Sequence, residues 1–545
     1  MNIPFFIYKS AVLILLLSLA ACSGKGASEV RIAFINSLKG QIFALPVMTG
    51  TGQKQAVLLD KHGQEVRKSG VSLLSSTLKQ LEKAGGPIIK LANANFIYGS
   101  SVAYFTDGRQ VVTFLENLGF YGLVLGHRDF YFGPDILDKL ALEPRKDKGT
   151  FISANILNKA DGKRPSFLKP YHIYTLPSGK TVAVIGLIPR SAISQTPPAQ
   201  FARFQHVLPD TVIDAVVSEL RNRKVDRIIV AGDFNLAIEE GGKIDLEPDV
   251  AAILNRDIDL FIVRSKKPVN RIVTMKQGGR TARLVAITEG AEVLGLYCFR
   301  ADPADDSFSS YELDSRTIKP DLSLSESLYN LRESLEVIAG KQLGLAEGEM
   351  THYTSRESAL GNLVCDALRD YCRTQVVLIN SGAIKHRLTQ GPITRKDLYT
   401  ILPYQNLMVG LQLTGAQLLD VLENSVTYLG ENEKAFPQVS GIQFRYNSKN
   451  PAGQRLNRGS VLVGGAWLNP GAVYTVAVPA FIAAGGDHYT TLAAGIKEKK
   501  YTVFQPFYDQ IDRNIVETYI ERYTRAGGSV FRKIEGRIID TAAGQ

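Results

Sequence analysis

Glu357-Ser358-Ala359-Leu360-Gly361-Asn362-Leu363 is the first of five short stretches that decide the fold of this 545-residue chain. The other four follow in the order Asn380-Ser381-Gly382-Ala383-Ile384, Leu402-Pro403-Tyr404-Gln405-Asn406, Val439-Ser440-Gly441 and Phe481-Ile482-Ala483-Ala484-Gly485-Gly486-Asp487. One such stretch by itself carries little information. Five of them in one order, all beyond residue 340, define a domain.

The five stretches resemble the C-terminal domain of bacterial 5′-nucleotidases, where they occur in the same order. In that family the domain binds a nucleoside, and the resemblance implies that Tyr404 and Phe481 stack on the two faces of its base. Each stacking contact is worth about 1–3 kcal/mol. The resemblance also implies that Asn406 reads the base edge and that Asp487 accepts hydrogen bonds from the ribose. The other substrate-binding residues that it implies are Asn380, Gly382, Lys385 and Gly441.

Two features of this domain leave alternatives open. Taken singly, Tyr404 and Phe481 could be core aromatics, and Asp487 could cap a turn. The family also places arginines near the phosphate, and this chain has Lys385 and Thr354 at two of those positions. Lysine attracts phosphate as a point charge without the bidentate geometry of arginine. Base recognition is therefore better supported than phosphate recognition.

The segment from residue 29 to 318 alternates apolar strand patterns with amphipathic helices. The strand candidates are Val30–Ile35, Pro87–Ala92, Tyr121–Leu125, Thr181–Ile185, Arg227–Ala231 and Ile258–Val263. The helical patterns include Leu73–Lys83, Val112–Leu118 and Thr211–Arg221. Pro177-Ser178-Gly179-Lys180 predicts a hairpin turn. This alternation predicts an α/β or α+β layered domain.

This segment resembles the family's calcineurin-like metallophosphatase domain, an αββα sandwich that uses two divalent metals to hydrolyse phosphoesters. The equivalents of its five ligand motifs are Asn36–Gly40, Ala94–Gly99, Gly126–Phe130, Ala231–Asp233 and Arg264–Lys267. Where the family has metal ligands, this chain has Ser37, Lys39, Asn95, His127 and Asp233. Where the family has the catalytic histidine, this chain has Arg128. The last motif has no histidine. We therefore expect no metal cofactor, and we favour a protein that does not hydrolyse nucleotides.

The residues at the lost metal positions allow two further interpretations. In one, the cations Lys39, Arg128, Arg264 and Lys267 converge and form a phosphate-attracting cleft that binds without hydrolysing. In the other, these side chains pair with Asp129 and Asp233 as a structural salt-bridge network. His127, Asp233 and Asp129 could also ligate a metal, although the neighbouring cations would repel a dication.

The remaining boundaries follow from local patterns. Residues 1–22 predict a lipoprotein signal peptide, in which an apolar run ends in Leu19-Ala20-Ala21-Cys22 and Cys22 carries the lipid. An ordinary signal peptide with a chance cysteine is the alternative. After the signal peptide we expect a tether over residues 23–28 and the metallophosphatase-like domain over residues 29–318. We expect a connecting helix with a Ser323–Glu326 capping box over residues 321–340 and the nucleoside-binding domain over residues 341–545. Ser23, next to the lipid site, indicates sorting to the outer membrane.

These patterns predict an exported, lipid-anchored protein that binds a nucleoside or nucleotide without metal-dependent hydrolysis. An active nucleotide phosphohydrolase with relocated ligands is one alternative, and an envelope scaffold is another. The formal net charge is +10, but the basic residues are scattered and do not indicate binding of a nucleic acid polymer. The sequence does not identify protein partners.

Overall fold

The computed structural model describes residues 30–49, 56–145, 148–193, 196, 198–239, 242–265, 267, 269–404 and 406–542. The predicted signal peptide, Cys22 and the tether lie outside these residues. The chain forms two compact units, 1–333 and 334–545, whose boundary lies inside the range 321–340 predicted as a connecting helix. Among the described residues, no helix has both the length and the apolar character that a membrane span requires.

Unit 1 contains the strands and helices up to this boundary. Its strands are β1 Val30–Asn36, β2 Leu45–Pro46, β3 Met48–Thr49, β4 Ala56–Val57, β5 Arg67–Lys68, β6 Ile89–Asn93, β7 Phe120–Val124, β8 Thr150–Ile152, β9 Ile156–Asn158, β10 Leu168–Lys169, β11 Tyr171–Thr175, β12 Thr181–Leu187, β13 Phe204–His206, β14 Arg227–Ile238, β15 Ile244–Leu246, β16 Leu260–Ser265, β17 Arg271–Gln277, β18 Arg280–Thr288, β19 Val293–Phe299 and β20 Ser307–Glu312. Its helices are α1 Val71–Gly85, α2 Ser101–Phe105, α3 Arg109–Asn117, α4 Pro134–Leu142, α5 Arg190–Ile193, α6 Pro209–Asn222 and α7 Pro248–Ala251.

The strands of unit 1 form two large sheets packed face to face. One sheet has the order β10-β8-β7-β6-β1-β19-β20, and the other has the order β11-β12-β14-β16-β18-β17, with β15 beside β14. Apolar side chains from both sheets form one buried cluster, which includes Ile32, Leu91, Val184 and Ile262. On its outer face the second sheet packs against α6, through side chains such as Ile213. The predicted αββα sandwich is confirmed.

The topology brings the five motif loops to one edge of the sandwich. β1, β6 and β7 run parallel in the first sheet, and β14 runs parallel to β16 in the second. Four of the motifs lie at the carboxyl end of one of these strands, which is the usual position of α/β functional sites. The other, Ala231–Asp233, lies inside β14, where the register with β16 shifts between Ala231 and Asn235.

Two local predictions had different outcomes. The hairpin turn is confirmed, since β11 and β12 pair antiparallel around it and Gly179 has φ 81°. The Ser323–Glu326 capping box is wrong: Asp321 caps the start of this segment, where its Oδ1 accepts hydrogen bonds from the amide of Ser323 at 3.0 Å and the hydroxyl of Ser323 at 2.7 Å. Aspartate at an N-cap accepts such bonds as readily as serine. Helix α8, Ser325–Ala339, follows.

Unit 2 is organised around a five-stranded sheet. Its strands are β21 Gln342–Ala346, β22 Val376–Asn380, β23 Gly391–Thr394, β24 Leu407–Thr414, β25 Pro437–Ser440, β26 Ile442–Tyr446, β27 Leu462–Val463, β28 Ala466–Trp467, β29 Val473–Pro479, β30 Thr502–Ile511 and β31 Ile538–Asp540. Its helices are α9 Ala359–Cys372, α10 Arg395–Ile401, α11 Gly415–Thr427, α12 Ala480–Ala483, α13 Thr490–Lys497 and α14 Asp512–Arg525. The sheet has the order β25-β22-β29-β24-β30, and a buried apolar cluster lies on each of its faces.

Candidate functional sites

The first two motif loops of unit 1 pack directly on one another. Ser37, Lys39 and Asn95 all have left-handed backbone, with φ between 50° and 53°, a conformation that costs free energy for residues other than glycine. Backbone hydrogen bonds hold the loops together, since the amide of Lys39 donates to the carbonyl of Asn95 at 2.9 Å. Left-handed backbone thus occurs at three of the positions that the sequence analysis aligned with metal ligands.

Asp233 is the centre of a buried polar cluster. Its Oδ2 accepts the backbone amide of His127 at 3.1 Å and also contacts Nδ1 of the same residue. Its Oδ1 accepts a hydrogen bond from Nδ2 of Asn95 at 3.0 Å, and Oδ1 of Asn95 accepts the amide of Arg128 at 2.9 Å. Side chains therefore join three of the five motifs.

Arg264 and Lys39 complete the cluster as ion pairs. Arg264 Nε lies 2.7 Å from Asp233 Oδ1, and its Nη1 lies 2.6 Å from Glu289 Oε2. Lys39 Nζ lies 3.0 Å from the other carboxylate oxygen of Glu289. Burial would raise the pKa of Asp233, but the hydrogen bond and charge of His127 and the charge of Arg264 lower it to about 2. The sequence analysis missed Glu289, which follows β18 and lies outside all five motifs.

The other predicted cations and Asp129 are not part of these ion pairs. Asp129 accepts the backbone amides of Ile97 at 2.9 Å and Gly126 at 2.8 Å, and burial raises its pKa to about 7. Within the described part of the chain, the guanidinium of Arg128 and the exposed amine of Lys267 form no ion pair. The predicted salt-bridge network therefore forms in part, through Arg264 and Asp233, and it includes Glu289 instead of Asp129.

The residues present do not fit two divalent metals. Among the described residues, no group of three or more His, Cys, Asp or Glu side chains is placed to hold a metal ion. His127 Nε2 has no partner there and could donate a lone pair, but Asp233 already pairs with Arg264. A protonated lysine or arginine has no lone pair to donate and repels a dication. We therefore derive no reaction step through a metal at this site.

The aromatic residues predicted to hold a base lie at one end of the sheet in unit 2. Phe481 follows β29 and Tyr404 precedes β24, and these strands pair antiparallel with Met408 opposite Pro479. Tyr404 is 57% exposed and Phe481 is 50% exposed. The alternative that they are core aromatics is therefore wrong. Both rings are available to a ligand.

Asp487 and Asn380 lie at the same end of the sheet. Nδ2 of Asn380, the last residue of β22, donates to Oδ2 of Asp487 at 2.6 Å. A side chain at Gly382 would collide with this pair, because its Cβ would lie 2.9 Å from Asp487 Oδ2. The remaining oxygen of Asp487 is free of this bond and can accept a ligand hydroxyl. The structure thus brings Asn380, Gly382 and Asp487 together as the resemblance implied.

Lys385 lies close to the ring of Tyr404. Its Nζ is 5.4 Å from the ring centroid, within the range of a cation–π contact. Its positive charge also contributes, after burial, to lowering the pKa of the neighbouring His352 to about 4. Lys385 is therefore placed beside the predicted base site, whereas the hydroxyl of Thr354 donates a hydrogen bond to Glu433 at 3.1 Å.

Asn406 is oriented by a residue that the sequence analysis missed. Its Nδ2 donates to Oδ2 of Asp512 at 3.0 Å, and its carbonyl accepts the amide of Asp512 at 2.7 Å. Burial raises the pKa of Asp512 to about 6 against the opposing effect of these hydrogen bonds and of Arg513. Because Asp512 is 106 residues further along the chain, no local signal marks this pairing.

Gly441 is not at the same end of the sheet as the other predicted residues. In the antiparallel pair of β22 and β25, Asn380 lies opposite Pro437 and Val377 lies opposite Ser440. Gly441 therefore follows the far end of β25. It lines a separate cavity with Arg369 and Arg537.

Comparisons with known proteins find similar sequences and structures for this chain. The family profile "5'-nucleotidase, C-terminal domain" matches residues 338–494. The 5′-nucleotidase of Vibrio cholerae is 24% identical over 518 residues, which cover 87% of this chain and 90% of the relative. Residues 338–494 thus match the 5′-nucleotidase C-terminal domain, and most of the chain is similar to 5′-nucleotidases. The crystal structure of NAD nucleotidase from Haemophilus influenzae superimposes with a TM-score of 0.60 at 17% identity, over 96% of this chain and 99% of that one, and shows the shared fold.

Some relatives are much longer than this chain. Endonuclease YhcR of Bacillus subtilis is 27% identical over 431 residues, which cover 75% of this chain and 34% of the relative. A second Bacillus subtilis relative, a trifunctional nucleotide phosphoesterase, is covered over 32% of its length. This chain therefore spans about a third of the length of these two relatives.

Proposed function

We propose that this chain is a member of the 5′-nucleotidase family that binds a nucleoside or nucleotide through unit 2 and does not hydrolyse it by a metal-dependent reaction. The observation that carries the proposal is the pair of half-exposed aromatic rings, Tyr404 and Phe481, at the sheet end that also holds Asp487. Exposed aromatic side chains gain free energy by stacking on a base. The carboxylate of Asp487 suits ribose hydroxyls, and Asn406 suits the base edge.

The proposal of binding without hydrolysis rests on the side chains of unit 1. Arg264 and Lys39 form ion pairs with Asp233 and Glu289, and dications would have to displace them. Arg128 and Lys267 remain as unpaired cations among the described residues, and we propose that they provide the phosphate-attracting part of this site. Arg264 and Lys39 are neutralised and contribute little to it.

We also propose that the protein is anchored to the cell envelope, at the outer membrane, by a lipid on Cys22. The support is the lipobox-like Leu19-Ala20-Ala21-Cys22. Metabolic labelling with radioactive palmitate should label the wild-type protein and not Cys22→Ser. Equal labelling of both proteins would contradict the anchor.

The nucleoside proposal is tested by calorimetric titration of the detergent-solubilised protein with adenosine and with AMP in EDTA. Binding of either ligand is expected, and tighter binding of AMP than of adenosine would implicate Lys385. Tyr404→Ala and Phe481→Ala should each weaken binding by about 1–3 kcal/mol, the value of one stacking contact. Trp467→Ala is the matched control, because Trp467 is an exposed aromatic of the same unit, 69% exposed, on the separate strand β28.

Two results would overturn the proposal. Absence of heat with both ligands at two temperatures would remove the binding function and favour an envelope scaffold. Stoichiometric zinc or manganese in the purified protein, together with release of phosphate from AMP, would favour the alternative of an active phosphohydrolase.

A further inference from the structure

A cavity of about 390 Å³ lies beside Gly441, at the far end of the unit 2 sheet from Tyr404 and Phe481. Its lining contains charged and polar residues, glycines and the apolar Ile442 and Leu462. The residues that matter here are Asp366, Arg369, Ser440, Gly441, Glu535 and Arg537. Small-molecule sites in proteins have volumes of about 300–1,000 Å³. The cavity is therefore large enough for a small metabolite.

Arg369 is an exposed residue that a chain of partly buried hydrogen bonds holds in place. Its Nε donates to Oγ of Ser440 at 2.8 Å, and this hydroxyl donates to Oδ1 of Asp366 at 2.7 Å. Ser440 is 1% exposed. The contact uses one nitrogen of the guanidinium and leaves Nη1 and Nη2 without an acceptor among the described residues. A planar guanidinium fixed along one edge presents a second edge for bidentate binding.

The other charges of the cavity are balanced among themselves. Arg537, which is 7% exposed, donates Nη1 to Asp366 Oδ1 at 2.8 Å and Nη2 to Glu535 Oε2 at 2.8 Å. Asp366 also accepts Nε of Arg532 at 2.8 Å. The carboxylates of Asp366 and Glu535 are therefore taken by Arg537 and Arg532. The charge that remains uncompensated is the positive charge of Arg369.

Glycine keeps the cavity walls open. At Gly441, which has φ 79°, a Cβ would lie 3.0 Å from Cδ of Arg369 and 2.0 Å from the carbonyl oxygen of Gln375. At Gly464 and Gly465, which also line the cavity, nothing lies within 4 Å of an added Cβ. A side chain at the first position would displace Arg369, and side chains at the other two would fill open space.

We propose that this cavity is a second ligand site, separate from the nucleoside site, and that Arg369 binds the oxyanion of a small molecule there, a carboxylate or a phosphate. The uncompensated charge favours an anion, and the free edge of the guanidinium fits two oxygens of one group. The site does not depend on the proposed function, because it shares no residue with the base and ribose contacts.

Calorimetric titration of the full-length protein in detergent with inorganic phosphate and, separately, with acetate tests this site. Saturable binding of one of the two is expected, and the one that binds identifies the oxyanion. Arg369→Gln should weaken it at least about tenfold, about 1.4 kcal/mol. Arg373→Gln is the matched control, since Arg373 lies just beyond the same helix and its Nη1 pairs with Asp370 at 3.5 Å.

Two further variants keep the test sharp. Ser440→Ala retains the charge of Arg369 but removes its anchor, so it should weaken binding by a smaller factor than Arg369→Gln. Lys385→Gln changes the cation at the nucleoside end, so loss of binding in this variant and not in Arg369→Gln would place the anion at the nucleoside site instead. The proposal is overturned if neither anion saturates the wild type, if Arg369→Gln binds as the wild type does, or if Lys385→Gln and not Arg369→Gln abolishes binding.

Discussion

At the scale of single residues, the guanidinium of Arg264 joins two carboxylates at the motif loops of unit 1. Arg264 is 9% exposed at its side chain and contacts the carboxylates of Asp233, inside β14, and of Glu289, which follows β18. Buried ion pairs gain little over apolar residues of the same volume, but removing one partner leaves an uncompensated charge. The stability of the buried polar cluster around Asp233 therefore depends on Arg264.

Arg264→Gln should lower the free energy of unfolding of unit 1 by about 3–5 kcal/mol, because Asp233 would stay buried without its cation. Urea denaturation followed by circular dichroism measures this change. The matched control is Arg280→Gln, which removes an exposed ion pair with Asp257 and should cost less than about 1 kcal/mol. Equal losses in the two variants would show that Arg264 is not important for the stability of the site.

The carboxyl of Asp512 should make stability depend on pH. Its pKa is raised from 3.8 to about 6 in the folded protein, so the folded state binds the proton more tightly than the unfolded chain. The stability that this group contributes is complete below about pH 4 and is lost as the pH rises through 6. The difference in unfolding free energy between wild type and Asp512→Asn should therefore change between pH 4 and 6 and be constant above pH 7. A constant difference over the whole range would contradict this assignment.

At the scale of secondary-structure elements, short loops at strand ends place the ligand-facing groups. In unit 2 the loop between α12 and α13 contains Gly485-Gly486-Asp487, and Asp487 has φ 48°. A Cβ on Gly486 would lie 2.5 Å from two ring carbons of Phe481. The glycine therefore allows the aromatic ring to lie against the loop backbone.

Gly486→Ala should move the ring of Phe481 and weaken nucleoside binding by up to the value of one stacking contact, about 1–3 kcal/mol. The affinity for adenosine, measured by calorimetry, checks this. Gly471→Ala is the control, because the nearest atom to its Cβ would be 3.6 Å away. If the two variants bound adenosine equally well, the position of the Phe481 ring would not matter for binding.

At the scale of the whole molecule, two units with their own apolar cores perform separate tasks. Unit 1 has the sandwich of a metallophosphatase, with ion pairs at the edge where metals would lie, and unit 2 presents exposed aromatic rings. Because the cores are separate, changes at the motif loops of unit 1 need not disturb the residues that we propose to bind a ligand in unit 2.

The thermal midpoint of the protein should be the same in EDTA and in added zinc or manganese. A metal at a hundredfold excess over its Kd would add about 2.7 kcal/mol, which corresponds to a shift of several degrees. Differential scanning calorimetry measures the midpoint under the three conditions. A shift of that size in zinc or manganese would show that the residues do bind a metal ion, and it would favour a metal-dependent reaction.

The sequence by itself determined the layered architecture and the frame of both sites. Strands such as the one predicted from Thr181 and the turn at Gly179 are local, since apolar alternation and turn residues act over a few positions. The replacements at Lys39 and Arg264 are equally visible without a structure. The tertiary structure decided which of these charges are neutralised, because Glu289 pairs with a lysine 250 residues away in the chain.

Contacts between residues far apart in the chain also explain the other differences between the sequence predictions and the structure. The orientation of Asn406 by Asp512 and the position of Gly441 at the far end of the sheet depend on strand pairing between distant segments, which no local pattern encodes. The exposure of Tyr404 and Phe481 likewise depends on how the strands around them pack. Residue identity thus set the chemistry that each position can perform, and packing decided which residues perform it together.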